Sequence, residues 1–390
     1  MNRDFKIKLG DPVVIVRKPE PVTCSYTQDE LWIDWGFYQF PSIERTEEGY
    51  VHIRYSLAPD SALSYGAEDG HAISYDNGKT WQTCGKDQNF LAGLPLPGGG
   101  RIRLADLPAL DAKSMHLPAP DDPGTERFRF YAESRFHGQF CTWPIERMLP
   151  GDDQWTVEYK EIATPEGIAR TLTEGVVPYH MFTRLKIDKQ NRVWAMAYPF
   201  YLRDYNDRSV CRAAFFRSED NGETFRCLST IRYQPDPRFD DSFSPHPIGF
   251  TEPEIEFLPN GTIVCLLRTH ELQPPTPTYI CHSFDDGLTW TKPEVFDKLG
   301  VWPNMLHLEC GVTLATYGRP GVFLRASGDP DAKEWQEPIT IVDGPATCSY
   351  TGMIPVDDHT ALMVYSDFLY PDEEGIPHKT ILCRTVTVEE

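Results

Sequence analysis

Three copies of one octapeptide set the strongest limit on what this chain can fold into. Ser74-Tyr-Asp76-Asn-Gly78-Lys-Thr80-Trp81, Ser218-Glu-Asp220-Asn-Gly222-Glu-Thr224-Phe225 and Ser283-Phe-Asp285-Asp-Gly287-Leu-Thr289-Trp290 share the pattern S-x-D-x-G-x-T-[WF]. In such a segment the Asp side chain can hold backbone N–H groups of a turn, the glycine supplies positive φ, and the aromatic ring can pack beneath. The second and third copies begin 65 residues apart; the first and second begin 144 apart, close to two such steps. Six steps of 65 equal the 390 residues of the chain. Ser327-Gly-Asp329, followed by Trp335, reads as a fourth, degraded copy. A fixed period of this length denotes a repeat architecture.

A second periodicity supports the first. Residues 40–56, 182–198, 253–268, 304–319 and 351–366 each read as strand, tight turn, strand, with β-branched and aromatic residues in both arms. Helical periodicity is missing, and 34 prolines with 28 glycines suit a loop-rich all-β chain. The expected fold is a single domain over residues 1–390, a six-bladed β-propeller of four-stranded antiparallel blades. The second blade is the weakest match and is placed around Arg127–Tyr131; the strand around Val13–Val16 is expected to complete the last blade. The Pro274-Pro275-Thr-Pro277 stretch reads as a loop rather than a linker.

Composition narrows the partners. With 37 basic and 58 acidic residues the net charge is −21, which argues against nucleic acid or an anionic membrane as the main partner. No apolar run reaches the roughly 18 residues of a membrane helix, and no signal-peptide pattern follows MNRDFKIKLG, so a soluble, cytoplasmic protein is expected. Ten cysteines are scattered without a C-x-x-C pair and read as reduced, mostly buried thiols; no metal site is visible. The oligomeric state is not specified by these features.

Blade topology converts the repeat into a site. The octapeptides fall late in each repeat, where the turn between third and fourth strands belongs. Their aspartates should therefore point away from a mouth built of first-strand starts and second-strand ends. Counting nine residues back from the first-hairpin turns reaches Glu252, Trp302 and Tyr350. Comparable starts carry Gln39 and His180; second-strand ends offer Arg268 and Arg319, and the loop beyond Tyr55 offers Asp60. A carboxylate, a tyrosine, two arginines and an aspartate at one pole suit chemistry on a polar or anionic ligand.

These residues carry a resemblance. The octapeptides look like the Asp boxes (BNR repeats) of the sialidase, or neuraminidase, superfamily of glycoside hydrolases, and the resemblance spans nearly the whole chain. It implies carbohydrate as the partner and a retaining exo-glycosidase that removes a terminal sugar without a cofactor. Tyr350, in Cys348-Ser-Tyr-Thr-Gly352, is similar to the nucleophilic tyrosine, and Glu252, in Thr251-Glu-Pro-Glu-Ile255, to the glutamate that takes its proton. Asp60 matches the acid/base aspartate. Arg268, and Arg319 in Tyr317-Gly-Arg-Pro-Gly321, resemble two of three carboxylate-binding arginines; Trp302 and His180 would line the pocket. In Tyr38-Gln39-Phe40-Pro41, Gln39 stands where the family has its first such arginine, and glutamine supplies neither charge nor a bidentate fork. Arg54 is a candidate replacement. A neutral sugar, or a uronic acid held by Arg268 and Arg319, is therefore expected at least as readily as sialic acid. Two alternatives stay open: a uronate-directed polysaccharide lyase using a His180–Tyr350 pair, and a non-catalytic carbohydrate-binding propeller.

Overall fold

The computed structural model describes residues 4–23, 35–85, 93–121, 129–132, 142–164, 168–172, 175–177, 182–202, 211–234, 236, 238, 249–270 and 276–389. Among these the architecture is all-β, and the 3-10 turn Ala62–Ser64 is the one helical element. All five hairpins foreseen from the sequence are present. His180, Pro274, Pro275 and residues 127–128 lie outside the described residues.

Three sheets are simple four-stranded meanders whose strands pair in chain order. Sheet I comprises Gln39–Arg45, Val51–Ser56, Asp69–Ser74 and Gln82–Cys84. Sheet III comprises Gly249–Phe257, Ile263–His270, Thr278–Ser283 and Glu294–Asp297. Sheet IV comprises Asn304–His307, Thr313–Gly318, Val322–Ser327 and Ile339–Val342. Sheet V joins Gly352–Pro355, Thr360–Pro371 and Pro377–Glu389 to the two N-terminal strands Lys6–Leu9 and Val13–Arg17. Val13 pairs with Cys383 and Arg17 with Thr380, so the two ends of the chain share one sheet, as the sequence suggested.

Sheet II departs from the four-stranded plan. It has ten strands, because Thr156–Ala163 pairs in parallel with Thr224–Ile231 and fuses two meanders into one. One half is Leu94–Pro95, Arg101–Leu104, Thr142–Met148 and Thr156–Ala163; the other is Phe182–Ile187, Val193–Leu202, Arg212–Ser218 and Thr224–Ile231. The strand Arg129–Ala132, placed in the second blade from sequence, instead pairs with Ile168–Leu172 at the far edge of the second half. The hairpin signal lay at Gly98-Gly99-Gly100, all with positive φ, between Leu94–Pro95 and Arg101–Leu104.

Alternation explains how the sheets stack. In Ile263–His270, Cys265 and Leu267 pack with Trp194, Phe215 and Phe250 toward sheet II, while Val264 and Leu266 pack with Met305 and Tyr317 toward sheet IV. In Thr360–Pro371, Met363 and Tyr365 meet Leu314 and Leu324 of sheet IV, and Leu362 and Val364 meet Ile53 and Ala72 of sheet I. Central strands buried on both faces must be apolar at successive positions, which is why IVCLL runs unbroken. A hydrogen bond from Arg101 Nη2 to Arg45 O links sheet II to sheet I.

The octapeptides are turns between third and fourth strands. In each, the serine hydroxyl donates to the aspartate and accepts from the glycine N–H at 2.8–2.9 Å, and the aspartate accepts from the threonine N–H and hydroxyl. The Thr80 hydroxyl and amide and the Ser74 hydroxyl hold the Asp76 carboxyl down at about 2. At Gly287, φ is +79° and a Cβ would sit 2.5 Å from the Trp194 ring, so the position tolerates no side chain. The degraded fourth copy keeps the plan: Asp329 accepts from Lys333 N, and Ala332 takes the left-handed position at φ 52°.

Two-sided burial has a direct test. Leu266 and Leu267 are both fully buried although adjacent. Leu266→Ala and Leu267→Ala should each lower the unfolding free energy in urea by about 2–5 kcal/mol; a strand with one wet face would show a large effect for only one of them.

Candidate functional site

The site is built from a backbone irregularity repeated at the start of first strands. The pairing register slips by one residue between Gln39 and Ser42, between Phe182 and Leu185, and between Thr251 and Glu254. Phe40, Glu252 and Trp302, each nine residues before its turn glycine, have φ of 53°, 47° and 45°, and each precedes a proline. Proline has no N–H to lose from the ladder, so it suits a bulge, and the bulge re-aims the preceding side chain. Non-glycine residues in this region cost of order 1–3 kcal/mol and occur where surrounding contacts impose them. Ser349, beside Tyr350, is also left-handed at φ 64°.

Five of the re-aimed or neighbouring side chains meet. The Tyr350 hydroxyl donates to Glu252 Oε1 at 2.5 Å, and Arg268 Nη1 donates to the same oxygen at 2.5 Å. The main-chain N–H of Trp302 donates to Glu252 Oε2 at 2.8 Å. The Trp302 ring stacks on Tyr350 (4.6 Å between centroids, 17° between planes), and Phe40 meets Tyr350 edge-on at 4.7 Å. Glu252 is 3% exposed and the Arg268 side chain 11%, so this is a buried ion pair with both carboxylate oxygens occupied.

Arg319 joins from sheet IV. Its Nη2 donates to Cys348 O at 2.8 Å, and its guanidinium lies 5.8 Å from the Tyr350 ring centroid and 5.1 Å from that of Trp35. Two guanidiniums thus face one carboxylate. Burial and the like charge of Arg268 both pull the Arg319 pKa down; Arg268 itself, although burial opposes its charge, is held up by Glu252. Burial, then the Glu252 charge, raises the Tyr350 phenol well above its ordinary 10, the two arginines only partly offsetting this.

Asp60 stands apart from this group. It is exposed, and Trp35 joins it to the site: Trp35 Nε1 donates to Asp60 Oδ2 at 2.9 Å, and Asp60 N donates to Trp35 O. Gln39 is fully buried; its Oε1 accepts from Gly36 N, and its Nε2 has no partner. In sheet I the residue that meets Tyr350 is Phe40, the true equivalent of Glu252 and Trp302, whereas the sequence count stopped one residue short at Gln39. Arg54 faces Asp69 at 3.5 Å and Asp106 at 3.8 Å, two carboxylates that occupy it elsewhere. The aspartates of the octapeptides lie at the other end of their strands, since Ser74 pairs with Val51 and Ser283 with Ile263, while Gln39 pairs with Ser56 and Thr251 with Arg268.

The sequence reading missed Tyr198 and Trp35. Tyr198 follows Asn191 by seven residues, as Arg268 follows Gly261, and so holds the equivalent place in the second strand. Burial, then the charges of Glu252 and Tyr350, lift its phenol well above the ordinary range, which marks it as a neighbour of the pair. Trp35 comes from the segment before the first strand, where no periodicity announced it.

No family model matches the chain, and no curated protein matches it. Solved structures do. A protein of unknown function from Dyadobacter fermentans DSM 18053 superposes with a TM-score of 0.64 at 17% identity, over 98% of this chain and 99% of that one. The Hadza microbial sialidase Hz136 gives 0.52 at 14% identity over 90% of this chain and 65% of its own. The K499G mutant of NanB sialidase from Streptococcus pneumoniae gives 0.54 at 11% identity, over 95% and 70%. The chain has a sialidase-like fold. Among the described residues, no helix is long and apolar enough to cross a membrane.

The raised phenol fixes a pH dependence. Above about pH 10 an unfolded chain loses its tyrosine protons while folded Tyr350 keeps its own, so this group makes stability fall as pH rises through that range. The tyrosinate absorbance of folded wild type and Tyr350→Phe should be equal at pH 10; an excess in wild type would show an ordinary phenol.

Proposed function

We propose that the chain is a sialidase-like exo-glycoside hydrolase on a single six-bladed β-propeller, cleaving a terminal sugar with retention of configuration. The observation that carries this reading is Glu252 Oε1, shared by the Tyr350 hydroxyl and Arg268. A phenol with a raised pKa is a poor nucleophile unless its proton has somewhere to go, and a carboxylate oxygen 2.5 Å away is such a place.

In the first half-reaction the Tyr350 oxygen attacks the anomeric carbon as Glu252 takes the phenol proton. The glycosidic C–O bond breaks through an oxocarbenium-like transition state, and Asp60 gives its proton to the leaving oxygen. In the second half-reaction Asp60 takes a proton from water, the water oxygen bonds to the anomeric carbon, and the bond to Tyr350 breaks as Glu252 returns its proton. Two displacements at one carbon restore its configuration. Tyrosine nucleophiles are the recorded exception to the two-carboxylate rule for glycosidases. A neutral nucleophile avoids repulsion when the sugar is itself anionic.

The sugar is read from the unfilled donors. Arg268 Nε, Arg319 Nε and Gln39 Nε2 are buried N–H groups without a partner, while both oxygens of Glu252 are taken. A lining of spare donors favours a substrate that presents oxygen acceptors, such as a uronate or a hydroxyl-rich neutral sugar. Gln39, standing where the resemblance places the first carboxylate-binding arginine, argues against sialic acid, which a bidentate arginine would hold better. Carbohydrate is thus the proposed partner, and no metal or other cofactor enters the steps above.

A panel of aryl sialosides, rhamnosides, arabinosides and uronides tests the reading. Turnover of at least one is expected, with Tyr350→Phe and Glu252→Gln each slower by at least about 10³-fold and Asp60→Asn slower by about 10²–10⁴-fold. Full activity in both Tyr350→Phe and Asp60→Asn would sink the assignment. An unsaturated uronate product would point instead to elimination.

A further inference from the structure

Beneath the Glu252–Tyr350 pair lies a second buried ionic group that the proposed chemistry does not use. Counting back seven residues from the turns at Asn191, Gly261 and Gly311 reaches Arg184, Glu254 and Asn304, equivalent positions near the starts of neighbouring first strands. Glu254 is 1% exposed. Its Oε1 lies 3.2 Å from Arg184 Nη1 and 2.8 Å from Lys186 Nζ, and accepts from Asn304 Nδ2 at 3.5 Å and Met305 N at 3.3 Å. Lys186 also pairs with Glu256 at 2.8 Å.

The cluster is not symmetrical in what it does. Lys186 divides its charge between Glu254 and Glu256, so Arg184 completes the pairing of Glu254. Unlike that of Lys186, the charge of Arg184 also lies over the Trp302 ring, with the guanidinium 5.2 Å from the centroid. Trp302 touches the reacting pair twice: its N–H holds Glu252 Oε2, and its ring stacks on Tyr350. Its backbone is left-handed, a conformation that persists only where neighbours impose it. A planar cation over an indole fixes the ring by cation–π attraction, a contact that an ammonium reproduces less well.

We propose that Arg184 is a positioning residue for the Tyr350–Glu252 pair, acting through the plane of the Trp302 ring. The catalytic meaning of this role rests on the glycosidase reading above; the geometric one does not. Anchored by Glu254, Arg184 sets the tilt of Trp302, and Trp302 sets the direction in which the Tyr350 hydroxyl points. Sheet II thereby controls a bond made between sheets III and V.

The test uses the full chain labelled with 3-fluorotyrosine, the Tyr350 resonance being assigned by its loss in Tyr350→Phe. Arg184→Met removes charge and plane but keeps an apolar stem; Arg184→Lys keeps the charge opposite Glu254 and loses the plane. Arg217→Met removes a cation that lies 5.3 Å from the Trp194 ring centroid and pairs with Glu219 and Asp286, and serves as the control. The Tyr350 resonance should shift in Arg184→Met, shift less in Arg184→Lys, and stay in place in Arg217→Met. On a substrate that is turned over, kcat should fall about tenfold in Arg184→Met with KM within about twofold, and Arg184→Lys should recover part of the loss. A Tyr350 resonance unmoved in folded Arg184→Met, or equally moved by Arg217→Met, overturns the proposal. If Arg184→Met does not fold, an unmoved resonance in Arg184→Lys does the same. A resonance that moves as expected in a protein that turns over no glycoside supports the positioning and sinks the glycosidase reading.

Discussion

One carboxylate, Glu252, ties the site together. It is almost wholly buried and receives hydrogen bonds from Arg268 in its own sheet, from the Trp302 main chain leading into sheet IV, and from Tyr350 leading into sheet V. A charge so placed is costly unless fully paired, and removing one partner from a buried pair typically costs about 3–5 kcal/mol. The same bonds that satisfy it therefore hold three sheets in register at one end of their first strands. Structure and proposed chemistry share these contacts, since the oxygen that must accept a proton from Tyr350 is the one that Arg268 also holds.

The bulge makes this convergence possible. A regular strand alternates its side chains between two faces, and in this chain both faces of the central strands are already filled by neighbouring sheets. No side chain of such a strand is free to point along the axis of the stack unless the backbone departs from the pleat. Phe40, Glu252 and Trp302 depart by taking left-handed φ one residue before a proline. Two residues further along, at equivalent counts from the turns, Arg184, Glu254 and Asn304 form a polar cluster beside the site. The geometry of the site and the packing of the core are thus separated by a single residue of backbone irregularity.

Much of this was legible because it depends on residues with few conformational options. Glycine at the turns marks positions where other residues are strained, so counting from Gly261 and Gly311 located Glu252 and Trp302, and the same count from the turn at His359 located Tyr350. The count failed where a neighbour in sequence looked more chemical: Gln39 attracted attention that belonged to Phe40. Tyr198 obeyed the same seven-residue spacing as Arg268 and was overlooked because tyrosine within a strand usually signals packing. The fusion of two meanders in sheet II was not legible, since the parallel pairing of Glu161 with Thr224 joins strands more than sixty residues apart and leaves no local pattern. Nor was the contact of Asp60 with Trp35, whose ring also lies against Arg319, because the segment before the first strand carries no periodic pattern.

The central claim is that Tyr350 forms the covalent bond to the sugar, and trapping that bond tests it most directly. A fluorinated glycosyl fluoride of whichever sugar the protein turns over should form the glycosyl-enzyme and slow its hydrolysis. Peptide mapping by mass spectrometry should then find the added sugar on the peptide carrying Tyr350, with none in Tyr350→Phe. Label on Asp60 or another carboxylate, or an inverted product with no label at all, would contradict the account.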